Sequence, residues 1–120
     1  MRNLFIISTI SLFIFVNVLA NLEVLAQNGW QQQTSGTAST LLGVVMTDQD
    51  TAYACGINGI ILKSTNGGTN WFALTTGTNR FLRSITYVNN ETIYSAGELG
   101  IIIKTTNGGA NWLTLNSGTN

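Results

Sequence analysis

The sequence contains no histidine and no proline, and it has a single cysteine among its 120 residues. Without histidine, the chain cannot form a Ser-His-Asp triad or a histidine-ligated metal site. Charge is also scarce, because only 8% of the residues are charged and five basic side chains balance five acidic ones. An amphipathic helix bundle needs charged side chains on its solvated faces, so this composition argues against one.

Basic residues are too few for a surface that follows a phosphate backbone. Beyond residue 26 the only cations are Lys63, Arg80, Arg83 and Lys104. We therefore expect no nucleic-acid partner. The abundant residues are instead Thr, Asn, Gly and Ile, and this composition is typical of short strands joined by tight turns.

Residues 1–26 have the pattern of an export signal. A short basic segment, residues 1–3, precedes the apolar run of residues 4–20, and small residues suited to signal peptidase stand at Ala20 and Ala26. We expect a signal helix that is cleaved after Ala26, which gives a secreted, periplasmic or cell-surface protein with no membrane segment after cleavage. The alternative is an uncleaved N-terminal anchor, because the apolar run approaches the length that spans a bilayer.

The rest of the chain is built from an internal repeat. Trp30, Trp71 and Trp112 are spaced 41 residues apart. Residues 31–71 align with residues 72–112 without a gap, and residues 113–120 begin a third copy. The aligned positions share glycine, aromatic and lysine residues, including Gly36/Gly77, Tyr53/Tyr94, Gly56/Gly97, Gly59/Gly100 and Lys63/Lys104. Such periodicity indicates a repeat architecture.

Each copy contains four strand-like stretches separated by turn signals. They are residues 41–47, 51–56, 60–65 and 71–75 in the first copy, and residues 82–88, 92–97, 101–106 and 112–116 in the second. Four short strands in about 40 residues is the size of one propeller blade. We therefore predict an all-β fold with two four-stranded antiparallel blades. The continuous apolar runs at 60–62 and 101–103 predict strands that are buried on both faces.

Each copy closes on the motif Asn-Gly-Gly-x-Asn-Trp. Gly and Asn accept a positive φ, the Asn side chain can bond the backbone ahead of it, and the Trp can pack over the hairpin. The motif therefore specifies a turn and needs no ligand to explain it. Its residues are Asn66, Gly67, Gly68, Trp71, Asn107, Gly108, Gly109 and Trp112.

The motif resembles the Asp-box, or BNR repeat, whose pattern is Ser/Thr-x-Asp-x-Gly-x-x-Trp, although Asn66 and Asn107 replace the usual Asp. Residues 94–112 are similar to the repeats of photosystem II stability/assembly factor-like propellers. The resemblance covers residues 30–120. It implies a β-propeller with structural Asp-boxes that acts as a protein-interaction or assembly-factor-like scaffold.

No catalytic constellation is evident, so we expect a non-catalytic protein without a metal or cofactor. A glycosidase needs two carboxylates that face a sugar, and the candidates are Asp48, Asp50, Glu91 and Glu98. Asp48 and Asp50 lie in one turn between strands, and Asp50 aligns with Glu91 in the same turn of the second copy, which favours a solvated turn over a catalytic pair. A sialidase would also need an arginine triad, and only Arg80 and Arg83 follow the signal region. The alternative function is a fragment of a carbohydrate-active or carbohydrate-binding propeller of the sialidase or xyloglucanase type.

Cys55 is expected to serve packing. It aligns with Ala96, so the position favours a small apolar side chain, and no histidine is present to activate the thiol.

Two blades are fewer than the four to eight or so of a closed propeller. Three explanations follow, in order of preference: a fragment of a longer propeller, several chains assembled into one ring, or a two-blade stack. The expected partner is accordingly an unknown protein or further copies of the repeat, with a glycan as the other option.

Overall fold

The computed structural model describes residues 29–119. The predicted signal segment therefore lies outside the described residues. The chain divides into two units, residues 1–32 and residues 33–120, and all described strands belong to the second unit. Between residues 29 and 119 there is no helix long and apolar enough to cross a bilayer.

The second unit contains eight strands in two antiparallel sheets, each of which is a simple meander. The first sheet consists of β1 (Leu41–Met46), β2 (Ala52–Gly56), β3 (Ile61–Ser64) and β4 (Phe72–Leu74). The second sheet consists of β5 (Leu82–Tyr87), β6 (Ile93–Gly97), β7 (Ile102–Thr105) and β8 (Leu113–Leu115). Every strand lies within a predicted stretch and ends within one residue of its bounds. The all-β fold of four-stranded blades is confirmed.

The outermost strand of each sheet follows the motif tryptophan. Thus β4 begins directly after Trp71 and β8 directly after Trp112, so residues 113–115, which open the third copy in sequence, complete the second sheet. The sequence period and the sheets are therefore out of phase by one strand. Sheet order follows chain order because short turns join consecutive antiparallel strands.

The hydrophobic core lies between the two sheets, and we call this contact the inner interface. The first sheet contributes Tyr53, Cys55 and Ile61, which are fully buried. The second sheet contributes Leu82, Ile85, Ile93, Ile101 and Ile103. Burial of these side chains supplies the main stabilisation, at about 25 cal/mol per Å² of apolar surface removed from water.

The apolar runs in the third strands differ in burial between the sheets. In β3, Ile61 and Leu62 are both buried, as the continuous run predicts. In β7, Ile103 is buried whereas Ile102 is only half-buried. Ile102 lies on the face of the second sheet that no other described strand covers.

A short 3₁₀ turn joins the second and third strands of each sheet, at Ile57–Gly59 and Glu98–Gly100. Its central residue adopts a left-handed conformation in both, with φ of 59° at Asn58 and 53° at Leu99. Asn tolerates this region, but a Leu side chain is strained there. Leu99 is 66% exposed, so little packing offsets that strain.

We therefore expect Leu99→Asn to stabilise the fold by about 0.5–1 kcal/mol, a part of the ~1–2 kcal/mol that an L-residue loses in the left-handed region. Urea-induced unfolding would measure the change. The reciprocal variant Asn58→Leu is the control and should be destabilised by a similar amount. A lower free energy of unfolding for Leu99→Asn would contradict this account.

Candidate binding surfaces

The Asn-Gly-Gly turn of the first sheet is organised by two side chains. The Ser64 hydroxyl accepts a hydrogen bond from the Gly68 amide at 2.9 Å and donates one to Asn66 Oδ1 at 3.1 Å. Asn66 Oδ1 also accepts from the Asn70 amide at 2.9 Å. The predicted role of Asn66, to bond the backbone ahead of it, is present in the structure.

The turn of the second sheet repeats this arrangement. The Thr105 hydroxyl accepts from the Gly109 amide at 3.0 Å and donates to Asn107 Oδ1 at 2.9 Å, and Asn107 Oδ1 accepts from the Asn111 amide at 2.9 Å. An amide oxygen therefore fills the place of the Asp-box carboxylate, since an acceptor is all that these bonds require.

Each turn is wider than a two-residue hairpin, because the last paired residues in the first sheet are Lys63 and Phe72. Gly67 and Gly68 have φ of 66° and 88°, and Gly108 and Gly109 have 65° and 91°. Two consecutive residues with positive φ explain the Gly-Gly pair.

The motif tryptophans lie against these turns. A Cβ added to Gly68 would lie 3.7 Å from the Trp71 ring, and one added to Gly109 would lie 3.7 Å from Trp112 Nε1. The Trp112 N–H is buried without an acceptor among residues 29–119. Its contribution is therefore packing, as the sequence predicts.

The second turn also forms a contact between the sheets. The Gly108 carbonyl accepts a hydrogen bond from Tyr53 Oη at 3.0 Å and another from Lys63 Nζ at 2.9 Å. Lys63 Nζ lies 5.2 Å from the Tyr53 ring centroid, so the two donors are held together by a cation–π contact. We call Tyr53 and Lys63 the first donor pair.

Sequence reasoning aligned Tyr53 with Tyr94 and Lys63 with Lys104 but gave these residues no role. The signal was present, because both copies keep a tyrosine and a lysine on strands that are otherwise apolar or small. The turn residues themselves are divided between two separate turns. Within residues 29–119, the turn of the second sheet contacts the other sheet, through Gly108 and Gly109, whereas the glycines of the first turn make no such contact.

Opposite the inner interface, the first sheet has no other described sheet against it, although Ala54 and Leu62 at the centre of that face are buried. We call it the first outer face. It carries the large apolar side chains of Leu42, Val44 and Met46, of which Val44 is 67% exposed. A groove of about 430 Å³ lies on this face. Its lining is mostly apolar and consists of Gln33, Ser35, Leu41, Leu42, Gly43, Val44, Ala54 and Trp71.

The second sheet has a corresponding uncovered face, the second outer face. It includes Tyr94, Ala96, Ile102, Lys104 and Leu113, all exposed or half-buried. Lys104 Nζ lies 5.2 Å from the Tyr94 ring centroid, the same distance as in the first donor pair. Tyr94 and Lys104 therefore form a second donor pair of equal geometry.

The acidic side chains are distributed over turns and the surface. Asp48 Oδ1 accepts from the amides of Asp50 and Thr51 at 2.9 and 2.7 Å. Glu98 forms an ion pair with Arg83 on an exposed surface. Cys55 is buried at the inner interface, and burial raises the pKa of its thiol.

The sequence model of a protein family, described as photosynthesis system II assembly factor YCF48, matches residues 22–119. The chain belongs to this family. The resemblance to BNR-repeat propellers is thereby confirmed. No significant match was found among curated proteins.

Two solved structures of YCF48 are similar to the chain in fold. One, described as YCF48 bound to D1 peptide, has a TM-score of 0.62 and 24% identity over 67% of this chain. The other, YCF48 from Cyanidioschyzon merolae, has a TM-score of 0.64 and 21% identity over 72% of this chain. The chain spans 27% of the length of each of these proteins.

The Asp48 turn predicts a pH dependence. The amides of Asp50 and then Thr51 hold the pKa of Asp48 below its ordinary value of 3.8. A carboxyl group whose pKa is lowered by folding stabilises the fold above its unfolded pKa and loses that contribution as the pH falls through its folded pKa. The difference in unfolding free energy between the native chain and Asp48→Asn should therefore be largest near neutral pH and shrink below about pH 4.

The second sheet offers a control for this prediction. Asn89 Oδ1 accepts from the amides of Glu91 and Thr92 at 3.0 and 2.8 Å, so an amide occupies the same turn there. Asn89→Asp should gain a pH-dependent stabilisation of the same sign. Chemical unfolding at several pH values would measure both variants, and a pH-independent difference would contradict the assignment.

The first donor pair predicts an asymmetry between two equivalent lysines. Lys63→Met removes a charge-assisted hydrogen bond to the Gly108 carbonyl and should cost about 1 kcal/mol of stability. In dilute, monomeric protein, Lys104→Met should change the free energy of unfolding by no more than the ~0.5 kcal/mol typical of surface substitutions. Equal losses in urea unfolding would mean that the bond to Gly108 contributes nothing.

Proposed function

We propose that this chain is an exported, non-catalytic module that binds a protein partner through its uncovered sheet faces. Membership of an assembly-factor family supports a role in protein interaction. The similar fold of a YCF48 that carries a bound D1 peptide supports the same class of partner. The basic segment, apolar run and small-residue sites of residues 1–26 support export.

The observation that carries the proposal is the first outer face. Soluble monomers rarely expose contiguous apolar patches, and such patches mark sites of interaction. Val44 is 67% exposed, whereas the equivalent residue of the second sheet, Ile85, is 9% exposed because the first sheet covers it. The repeat position shared by Val44 and Ile85 is therefore buried in the sheet where another sheet covers it.

The character of the groove favours a protein over a glycan. Apart from the Trp71 N–H, only Gln33 and Ser35 among its lining residues have polar side-chain groups. A sugar ring presents several hydroxyl groups, and each of these needs a hydrogen-bond partner when it is buried. An apolar segment of a protein makes no such demand.

The use of the carboxylates supports a non-catalytic role. Asp48 caps a turn, and Glu98 pairs with Arg83. Asp50 and Glu91 lie at equivalent turns, where their backbone carbonyls accept from Gly67 and Gly108. These turn and surface contacts of the acidic residues support a non-catalytic role.

The test is a photo-crosslinking amino acid at position 44 of the full chain, expressed in an exporting bacterium. Irradiation should give covalent protein adducts, because the groove contacts a protein. The control carries the same group at position 88, since Val88 is 68% exposed and lies outside the groove. Mass spectrometry of the adducts identifies what is bound.

Equal adduct yields from positions 44 and 88, or none from position 44, would contradict the proposed function. A panel of immobilised glycans tests the alternative. Glycan binding that is lost on Trp71→Ala would favour the carbohydrate-binding reading over the protein-binding one.

A further inference from the structure

The 3₁₀ turn of the second sheet contains a residue that its backbone conformation disfavours. We call this turn, Glu98–Gly100, the second tip, and its equivalent in the first sheet, Ile57–Gly59, the first tip. Leu99 at the apex of the second tip has φ of 53° and ψ of 38°. A leucine is unfavourable in the left-handed region, so it lowers the stability of a turn that the first sheet closes with Asn58.

Leu99 gains little burial in return for this strain, because its side chain is 66% exposed. A single exposed leucine needs no explanation, but a residue held in a sparsely populated backbone conformation points to a function. The exposure is a property of the tip and does not depend on which sheets lie beside it. Asn58 is also exposed, although the first tip contacts β5 of the neighbouring sheet.

Two arginine side chains bond to the second tip on either side of its apex. Arg80 Nη1 donates to the Leu99 carbonyl at 2.9 Å. Arg83 forms an ion pair and a hydrogen bond with Glu98, the residue before Leu99. A side chain on a turn that is already ordered loses less conformational freedom on binding, so this arrangement suits a residue that contacts a partner.

The first tip lacks this whole arrangement. The residues equivalent to Glu98, Leu99, Arg80 and Arg83 are, in that order, Ile57, Asn58, Ser39 and Leu42. Within residues 29–119, neither Ser39 nor Leu42 forms a side-chain hydrogen bond to the first tip. The strained leucine and the side chains that bond to its turn therefore occur together in one copy of the repeat and are absent together from the other.

We propose that Leu99 is a contact residue that a partner protein receives in an apolar pocket with carboxylates at its rim. Arg80 supplies the reason for the carboxylates. Within residues 29–119, the single ion pair is that of Arg83 with Glu98, so Arg80 has no acidic partner. A guanidinium has five N–H donors, and Arg80 uses one of them on the Leu99 carbonyl, which leaves donors for a carboxylate of the partner.

This contact is separate from the one in the proposed function. None of the residues of the second tip, nor Arg80 or Arg83, lines the groove of the first outer face. The inference therefore adds a second binding surface and does not depend on the first.

A lipid surface fits the second tip less well than a protein pocket does. Binding at a membrane surface grows with the apolar area that is buried and with the number of basic residues near the surface. The tip offers one apolar side chain and, because Arg83 is paired, one unpaired cation. A protein pocket can remove a single leucine completely from water, which is the setting in which one residue dominates binding.

The first step of the test identifies the partner. A photo-crosslinking amino acid replaces Leu99 in the full chain, expressed in an exporting bacterium, and mass spectrometry identifies the protein in the adduct. The control carries the same group in place of Asn58, which is exposed on a tip without arginines. We expect an adduct from position 99 and none from position 58. Equal yields from the two positions, or none from position 99, would overturn the inference.

The second step measures the affinity of the purified chain for the crosslinked protein. Leu99→Asn, which should be more stable than the native chain, should bind at least about tenfold more weakly. Leu99→Met keeps an apolar side chain at the apex and should retain most of the affinity. Urea unfolding of the same samples separates loss of contact from loss of fold. An unchanged affinity in Leu99→Asn would rule out the contact.

The chemistry of the rim has its own test. Affinity should fall as the salt concentration rises, and Arg80→Met should remove most of that dependence. A salt-independent affinity would rule out the carboxylates. Vesicles of phosphatidylglycerol test the lipid surface: if the native chain sediments with them and Leu99→Asn does not, the protein pocket is overturned in favour of the membrane.

The inference and the proposed function can fail separately. Adducts from position 44 without any from position 99 would leave the proposed function standing and overturn the role of Leu99. Adducts from position 99 without any from position 44 would support the role of Leu99 and contradict the groove named in the proposed function.

Discussion

The fold depends on covering the faces of short β-strands. The strands here have three to six residues, and the apolar face of such a sheet must be buried against another element. The inner interface resolves this for one face of each sheet by burying Tyr53, Cys55 and Ile61 beneath the second sheet.

Turn chemistry and sheet stacking are coupled through the same two glycines. Gly108 and Gly109 are required locally, because both have positive φ. They are also required by the stacking, because a Cβ at Gly109 would lie 2.5 Å from Leu74 Cδ1 of the first sheet. The bare backbone at this point lets the Gly108 carbonyl reach both members of the first donor pair. A motif that closes one hairpin therefore also fixes the distance between two sheets.

The strands and turns could be predicted from the sequence because their causes are local. Strand-like stretches and turn signals such as Asn-Gly-Gly act within a few residues, and the 41-residue period repeats them, so the eight strands lie where these patterns indicate. The role of Tyr53 and Lys63 could not be predicted, because their acceptor lies in the next copy at Gly108 and depends on how the sheets stack. The difference in exposure between Val44 and Ile85 could not be predicted either. The two residues are equivalent in the repeat, and their exposure depends on which part of the structure covers them.

The composition of the two first strands indicates how the uncovered face should be understood. Terminal units of repeat proteins usually carry a polar outer surface, because nothing stacks on them. Here the strand with an uncovered face, β1, reads LLGVVM, whereas its equivalent β5 reads LRSITY. The less covered strand is the more apolar one, and Arg83 stands where the first sheet has Leu42. A capping sheet would show the opposite bias. The exposed strand β1 therefore has the composition of a contact surface and not that of a cap.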